Sequence, residues 1–507
     1  MKKLTSILFL LIISDLILFA QQTPSFITDS LDVYVNRGLE RWQIPGAAVL
    51  VVKDGKIIVA KGYGVKELGT NDKVDENTLF MIGSNTKAFT GTALALLENE
   101  GKLKLEDKVI QYLPDFRMMD PWVTKELNLV DIVTHRMGLE TFQGDFMYWT
   151  SDLTADEAIE KFGMLTPKYD FRTKYGYTNA GYAVAGKIIE KVTDLKWEDY
   201  LKEKIFLPLK MDRTTALSSD FAKSENIAKP HTFVNGKMSV LPFENIDNLA
   251  PCGSMGSSIN DLSHWLIAQL DSGKYEGNVA IPFKVLQRTR QPQSIQGRVR
   301  HPFNEGHYNL YGLGWGLMDY EGTEIISHTG GVNGFVTSVT LLPEENLGIV
   351  VLTNTDQNAF FQSLKWEIID NYLGLPLRDY DDFAFQLTLK QIHERDEQRD
   401  AWRDSVELNI EPEIRLAEFT GRYDNEVYGY ADLSYKENYL EMKLQHHSKI
   451  IGKLEYIGNN RFLCTYSDPT YGIKVFPFEI ENGKVKSFDL YVDDFIDYQP
   501  YNFTKQY

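Results

Sequence analysis

Three short groups of residues in this chain carry side chains suited to attack on a carbonyl carbon. Gly83-Ser84-Asn85-Thr86-Lys87 opens an apolar helical pattern, and a spacing of three on a helix sets Ser84 and Lys87 side by side on one face. A serine hydroxyl is a weak nucleophile until a neighbouring base takes its proton. A lysine can be that base where burial lowers the pKa of its amine. The positive end of the helix also favours negative charge developing at the serine. Tyr177-Thr178-Asn179 is the second group. In an extended segment residues two apart face the same way, so a phenol oxygen and a carboxamide would point together into one cleft. His328-Thr329-Gly330-Gly331 is the third. Its glycines let a substrate backbone approach closely, and the histidine and threonine suit binding a carboxylate or polarising a leaving group. Each group is weak alone. Ser-x-x-Lys arises about once or twice by chance in a chain of this length. Tyr-x-Asn recurs at Tyr34-Val35-Asn36 and Tyr423-Asp424-Asn425, and a histidine before two glycines also suits a plain hairpin edge.

The elements that must position these groups follow from periodicity. Ala47–Val52 and Lys56–Tyr63 are β-type runs flanking Lys53-Asp54-Gly55, a hairpin with an Asp-Gly turn. The pattern from Ser84 to about Asn99 is helical, and Gly101 stands where a helix usually stops. Helical patterns recur at Ala180–Val192, Trp197–Phe206 and Ile259–Leu270. Strand-like runs follow at Leu313–Met318, at Glu324–Ser327 just before His328, at Val336–Leu342 and at Leu347–Leu352. Strands at both sequence ends of one domain, with helices between, predict an α+β fold with a mostly antiparallel sheet fed from both ends. From Leu377 to Glu411 there is neither Gly nor Pro and charge is dense, which predicts a solvated connecting helix. Beyond Pro412, short strands such as Tyr439–Leu444, Arg461–Tyr466 and Val485–Val492 alternate with turn signals, predicting a small all-β barrel or sandwich. The expected division is a leader over 1–20, a first domain over 25–376, a linker over 377–411 and a β domain over 412–507.

Together the three groups have the order and spacing of the serine β-lactamase-like superfamily. The chain resembles its class C branch, which includes penicillin-binding proteins, D-aminopeptidases and esterases. The resemblance runs from about Val33 to Leu373. It takes in Ile44-Pro45-Gly46-Ala47, Thr134-His135-Arg136-Met137-Gly138-Leu139, Tyr311-Gly312-Leu313-Gly314-Trp315 and Leu352-Thr353-Asn354. The tail, with Phe419-Thr420-Gly421-Arg422-Tyr423, is similar to the lipocalin-like barrel often fused to these hydrolases. The resemblance implies a β-lactamase/transpeptidase-like sheet flanked by helices. It implies Ser84 as the acylated nucleophile, with Lys87 and Tyr177 sharing the general-base work and Tyr177 returning the proton to the leaving group. Asn179, Thr329 and Gly330 would hold substrate, and the backbone N–H groups of Ser84 and Gly331 would form the oxyanion hole. His328 stands where many lactamases have lysine. A histidine is mostly neutral at pH 7 unless perturbed, which moves the expectation from β-lactams toward peptides or esters. His135 belongs to a loop that is a fold element of the family, and a structural role is expected for it.

Composition agrees with an exported hydrolase. The 507-residue chain has 53 Lys and Arg against 71 Asp and Glu, a net charge of −18, and no basic run, which excludes ordinary nucleic-acid binding. Lys2 and Lys3 precede an apolar stretch ending at Phe19-Ala20, read as a signal peptide cleaved near Ala20 and directing the chain to the periplasm or outside the cell. No stable membrane span is expected after cleavage. Cys252 and Cys464, far apart, make no disulfide framework, and no CxxC or HExxH pattern occurs, so neither metal nor cofactor is expected. The pair His446-His447 is expected at the surface. No Gly-x-Ser-x-Gly elbow occurs, which argues against an α/β-hydrolase. The expected activity is hydrolysis, through an acyl-enzyme, of peptides containing D-residues, amides or small esters. β-Lactamase or DD-peptidase activity is the alternative, and a non-catalytic binder of cell-wall fragments is the remaining one.

Overall fold

The computed structural model of the protein describes residues 23–507 apart from Asn235. The leader expected over residues 1–20 lies outside the described residues. Among these, no helix is long and apolar enough to cross a membrane.

Helix α1 (Leu31–Arg41) leads into strands β1 (Gly46–Lys53) and β2 (Lys56–Gly64). Asp54 and Gly55 both take positive φ at the turn between them, the conformation an Asp-Gly pair tolerates. β1 is buried along nearly its whole length because both its faces are covered. Ala48, Leu50 and Val52 pack into the larger core, while Ala47, Val49 and Val51 face α1 and a late helix. Then come helices α2 (Thr86–Asn99), α3 (Asp145–Tyr148), α4 (Ala180–Thr193) and α5 (Ile259–Leu270). The sheet resumes with β3 (Ser294–Gly297), β4 (Asn309–Tyr311), β5 (Gly316–Tyr320), β6 (Thr323–Val332), β7 (Phe335–Leu342) and β8 (Leu347–Thr353). Its eight strands run in the order β2-β1-β8-β7-β6-β5-β4-β3, with antiparallel pairing throughout. The first strand of the chain meets the last of the sheet through Ala47↔Thr353, so the sheet is fed from both ends. The fold is α+β, with an antiparallel sheet flanked by helices.

Helix α6 (Phe360–Tyr372) covers the outer face of the sheet together with α1. Helix α7 (Tyr380–Glu407) is exposed along most of its length. Its first turn is anchored by Asp381, which accepts hydrogen bonds from Trp42 Nε1 at 2.6 Å and Arg41 at 3.0 Å. Beyond it, β9 (Gly421–Asn425), β10 (Gly429–Lys436), β11 (Tyr439–Leu444), β12 (Ile451–Tyr456), β13 (Arg461–Tyr466), β14 (Ile473–Glu481), β15 (Lys484–Leu490) and β16 (Tyr501–Lys505) close into a barrel. Closure leaves no strand edge open.

Three local expectations are corrected. The strand expected from Leu313 begins only at Gly316. Gly314 has φ +80° and its missing Cβ would lie 2.2 Å from the Lys87 carbonyl oxygen, so the chain bends there to pass α2. The strand expected to reach Val492 ends at Leu490, where the chain leaves the barrel wall. His447 is buried rather than at the surface. Its ring stacks on Phe146 at 4.7 Å, in the contact between barrel and first domain.

Candidate active site

Ser84 sits on a single 3-10 turn, Gly83–Asn85, that runs directly into α2. The turn is pinned to the sheet. Asn85 donates to Thr337 Oγ1 on β7 at 2.9 Å, and Thr337 donates in turn to the Ile82 carbonyl at 3.0 Å. β6 approaches the same turn backbone to backbone. A Cβ on Gly330 would lie 1.9 Å from the Ile82 oxygen, and one on Gly83 would lie 2.8 Å from the Gly331 nitrogen. Glycine at both positions is what brings the Gly331 N–H beside Ser84. β6 pairs with β5 only as far as Ser327, whereas its pairing with β7 continues to Val332. Residues 328–332 therefore present one unpaired edge to the cleft, open to a substrate backbone.

Lys87 is fully buried, with Nζ 3.1 Å from Ser84 Oγ, 2.6 Å from Asn179 Oδ1 and 2.9 Å from the Cys252 carbonyl oxygen. Burial pulls its pKa down to about 8, against the raising influence of Cys252 and Asp145. The three neighbours define what each proton state does. The ammonium donates to all three. The neutral amine donates to the two fixed oxygens of Asn179 and Cys252, and its lone pair then faces the Ser84 hydroxyl.

Tyr177 and Asn179 lie on the extended segment before α4. Tyr177 is half-buried, with its hydroxyl toward Ser84 and its ring centre 4.7 Å from Lys87 Nζ. Burial raises its pKa well above the ordinary phenol range, only partly offset by Ser84, so it stays a neutral phenol at neutral pH. His135 holds this segment in place. It is buried and neutral, its Nδ1 accepts from the Thr178 N–H at 3.1 Å, and its ring lies 4.4 Å from that of Tyr177. Asn179 Nδ2 donates to Asp145 Oδ2 at 2.5 Å, and Asp145 also accepts from the Tyr148 hydroxyl. Asp145, on α3, is buried and has a pKa raised well above the usual range by desolvation.

His328 faces the cleft from β6, and both its ring nitrogens are engaged. Nδ1 lies 2.6 Å from the Thr329 carbonyl oxygen and must carry the proton, because that oxygen can only accept. Nε2 accepts from the Tyr311 hydroxyl at 2.9 Å. Burial and the Lys87 charge push its pKa down to about 3. His328 is a neutral residue and supplies no cation to hold a carboxylate. Thr329 alternates to the other side of the strand and is exposed at the rim.

All these groups open on one cavity of about 570 Å³ lined by Ser84, Tyr177, Asn179, His328, Thr329 and Gly331. The three sequence groups thus meet at one place. Sequence reasoning missed Asp145, a lone carboxylate at the start of the one-turn helix α3 with no pattern around it. It also missed the role of Tyr311, which it noted only as part of a fold motif. Nor did it anticipate Phe495 and Tyr498 of the barrel, which line the same cavity.

Comparison with known proteins gives the family. Residues 31–373 match the family model described as Beta-lactamase. The chain belongs to the beta-lactamase family. Residues 407–505 match a domain of unknown function, DUF3471. The chain is 31% identical over 358 residues to the "Unguisins hydrolase ungD'" of Aspergillus campestris (strain IBT 28561), covering 67% of this chain and 64% of that protein. It is 29% identical over 338 residues to "Protein flp" of Staphylococcus aureus (strain MW2), covering 64% of this chain and 62% of that protein. The matched region therefore spans less than two thirds of either relative. Among solved structures, the octameric penicillin-binding protein homologue from Pyrococcus abyssi superposes with a TM-score of 0.58 at 19% identity, covering 94% of this chain and 99% of that one. A D-stereospecific amidohydrolase from Streptomyces sp. gives 0.54 at 20% identity, covering 68% of this chain and 99% of that one. Both share the fold, and the family is one of hydrolases.

Proposed function

We propose that the protein is an exported serine hydrolase that opens amides or small esters, including peptides with D-residues, through an acyl-enzyme on Ser84. The observation that carries the reading is the buried Lys87 amine, 3.1 Å from Ser84 Oγ and tied to two fixed oxygens. The neutral amine takes the Ser84 proton as Oγ attacks the substrate carbonyl carbon. The N–H groups of Ser84 and Gly331 receive the developing oxyanion, a contribution of the kind usually largest in acyl transfer. Tyr177, a neutral phenol, gives its proton to the departing amine or alkoxide and is reprotonated from the Lys87 ammonium. Water then attacks the acyl carbon and gives a proton to the neutral Lys87 amine; as the bond to Ser84 Oγ breaks, the Lys87 ammonium returns that proton to Oγ and the acid product leaves.

His328 bears on substrate choice. With a neutral imidazole where many lactamases carry lysine, the cleft has no cation on β6 for a carboxylate beside the scissile bond. Amides and esters without that carboxylate are favoured over β-lactams and D-Ala-D-Ala ends. The relatives named as a hydrolase of unguisins and as a D-stereospecific amidohydrolase support the amide reading, and the sequence pattern of Lys2-Lys3 followed by an apolar stretch to Ala20 supports export. The test is a panel of nitrophenyl esters, D-amino-acid amides, a D-Ala-D-Ala peptide and nitrocefin, run beside fluorophosphonate labelling. Turnover of the first two with one label per chain is expected. Preference for nitrocefin would overturn the substrate assignment, and no label on Ser84 would overturn the mechanism.

A further inference from the structure

The matched domain of unknown function reaches into the catalytic cleft. Between β15 and β16 the chain crosses from the barrel to the mouth of the cavity through residues 491–500. Val492 and Ile496 stay in the barrel core, each nearly fully buried. Asp493 ties the segment into a turn: its side chain accepts from the Phe495 N–H at 3.0 Å, and its carbonyl accepts from Ile496 N at 2.9 Å and Asp497 N at 3.1 Å. With the turn held from below, Phe495 and Tyr498 project into the cavity that contains Ser84.

Each of these rings meets a wall of the first domain. Phe495 stands edge-on to Trp149, centroids 6.1 Å apart, and lies over β6, where a Cβ on Gly331 would be 3.4 Å from its ring. Trp149 is itself fixed by its Nε1 donating to Asn333 Oδ1 at 3.1 Å. Tyr498 sits 5.3 Å from the Phe142 ring, which in turn is 5.6 Å from Tyr177. The result is a collar of four aromatic rings over the nucleophile, two from each domain. The acidic residue beside them, Asp494, also lines the cavity and is paired with Lys474 at 2.9 Å.

The docking that aims these rings also touches the catalytic support. Asp497, buried, accepts from the N–H groups of Gly144 at 3.0 Å and Phe146 at 3.4 Å, so it caps α3, the element that carries Asp145. From there the contacts run Asp145, Asn179, Lys87, Ser84. The barrel grips the same loop at Trp149, whose carbonyl accepts from Tyr471 at 3.0 Å and lies 3.1 Å from His447 Nε2.

We infer that the C-terminal barrel is the specificity domain of this enzyme: Phe495 and Tyr498 form one wall of the substrate site and select an apolar or aromatic group beside the scissile carbonyl. The selection of a substrate group rests on the hydrolase reading; the existence of the wall does not. Aromatic faces favour burial of apolar surface and penalise a charged group that would lose its water there.

The test separates the two in the full-length protein. In Ser84→Cys, the new thiol is alkylated with iodoacetamide and with a pyrene maleimide. Cys464 is buried; Cys252 lines the same cavity but is buried with its thiol pushed up to about 11, and the protein with Ser84 intact, alkylated alongside at pH 7, gives the background to subtract. Adding Phe495→Ala or Tyr498→Ala should raise the rate ratio of bulky to small reagent at least about tenfold, the scale of a changed apolar pocket. Phe495→Trp should lower it. In parallel, with Ser84 restored, the same wall variants should move the kcat/KM ratio of bulky to small acyl esters in the same order. Unchanged alkylation ratios across all three variants overturn the wall, whatever the turnover. Moved alkylation ratios with no turnover by the wild type uphold the wall and overturn the hydrolase reading instead.

Discussion

The base assignment makes a quantitative demand on pH dependence. Only the neutral form of Lys87 can take the Ser84 proton, and its pKa is brought down to about 8 by burial. With that value about one chain in ten carries the neutral amine at pH 7 and about one in a hundred at pH 6. Log kcat/KM should therefore climb with a slope near one between about pH 6 and 7.5, bend near 8 and level by about 9. His328 and His135 should add no inflection between pH 6 and 7, because both are held neutral across that range; of the other groups at the site, burial brings Lys365 and Asp497 near 7. Lys87→Arg replaces the amine with a group that does not lose its proton in proteins, so it should lower kcat by roughly 10² to 10⁴ and remove the limb. The assay is initial-rate hydrolysis of a neutral nitrophenyl ester at constant ionic strength from pH 5.5 to 10, with spontaneous hydrolysis subtracted. A flat profile in the wild type would refute lysine as the base. So would a limb near 8 that survives in Lys87→Arg.

Further outcomes follow from the same geometry. Ser84→Ala should leave the fold intact and abolish fluorophosphonate labelling, read by intact-mass spectrometry; a label retained at full stoichiometry sinks the nucleophile assignment. Tyr177→Phe should cost roughly 10² to 10⁴ in kcat but keep the limb near pH 8, since the phenol is not the titrating group. The double variant with Lys87→Ala should lose far less than the product of the single losses, because groups that act as a unit are non-additive; multiplicative losses would mean separate proton paths. Gly330→Ala puts a methyl 1.9 Å from the Ile82 oxygen, so β6 must draw back from Ser84. Its kcat should fall by roughly 10² to 10³, the usual effect of losing one oxyanion donor, and an unaffected kcat would mean that Gly331 does not serve the oxyanion.

The fold was legible where one period dominates. β1 reads as a continuous apolar run because both of its faces are buried, and the Asp54-Gly55 turn sets its register with β2. The barrel showed as short strands with Asn and Gly turns. What escaped were the places where two parts of the chain pass each other. Gly314 bends beneath Lys87, and residues 491–500 leave the barrel for the cleft. Both look like ordinary strand continuations, since the partner that diverts them lies hundreds of residues away.

The same division holds for the chemistry. The sequence by itself determined that Ser84 and Lys87 are neighbours, because three residues on a helix is nearly one turn. It also determined that Tyr177 and Asn179 share a side of their segment, and that Gly330 and Gly331 permit a close backbone approach. Only the tertiary structure decided the proton states. Lys87 is lowered to about 8 and His328 to about 3 because distant residues remove their water: Tyr177, Tyr182, Asn179 and the Cys252 carbonyl around the lysine, and Tyr311 beside the histidine. Tertiary structure likewise decided that the far end of the chain, through Phe495, Asp497 and Tyr498, belongs to the site. Desolvation is set by everything that surrounds a group in space, and a linear sequence records only what is next to it along the chain.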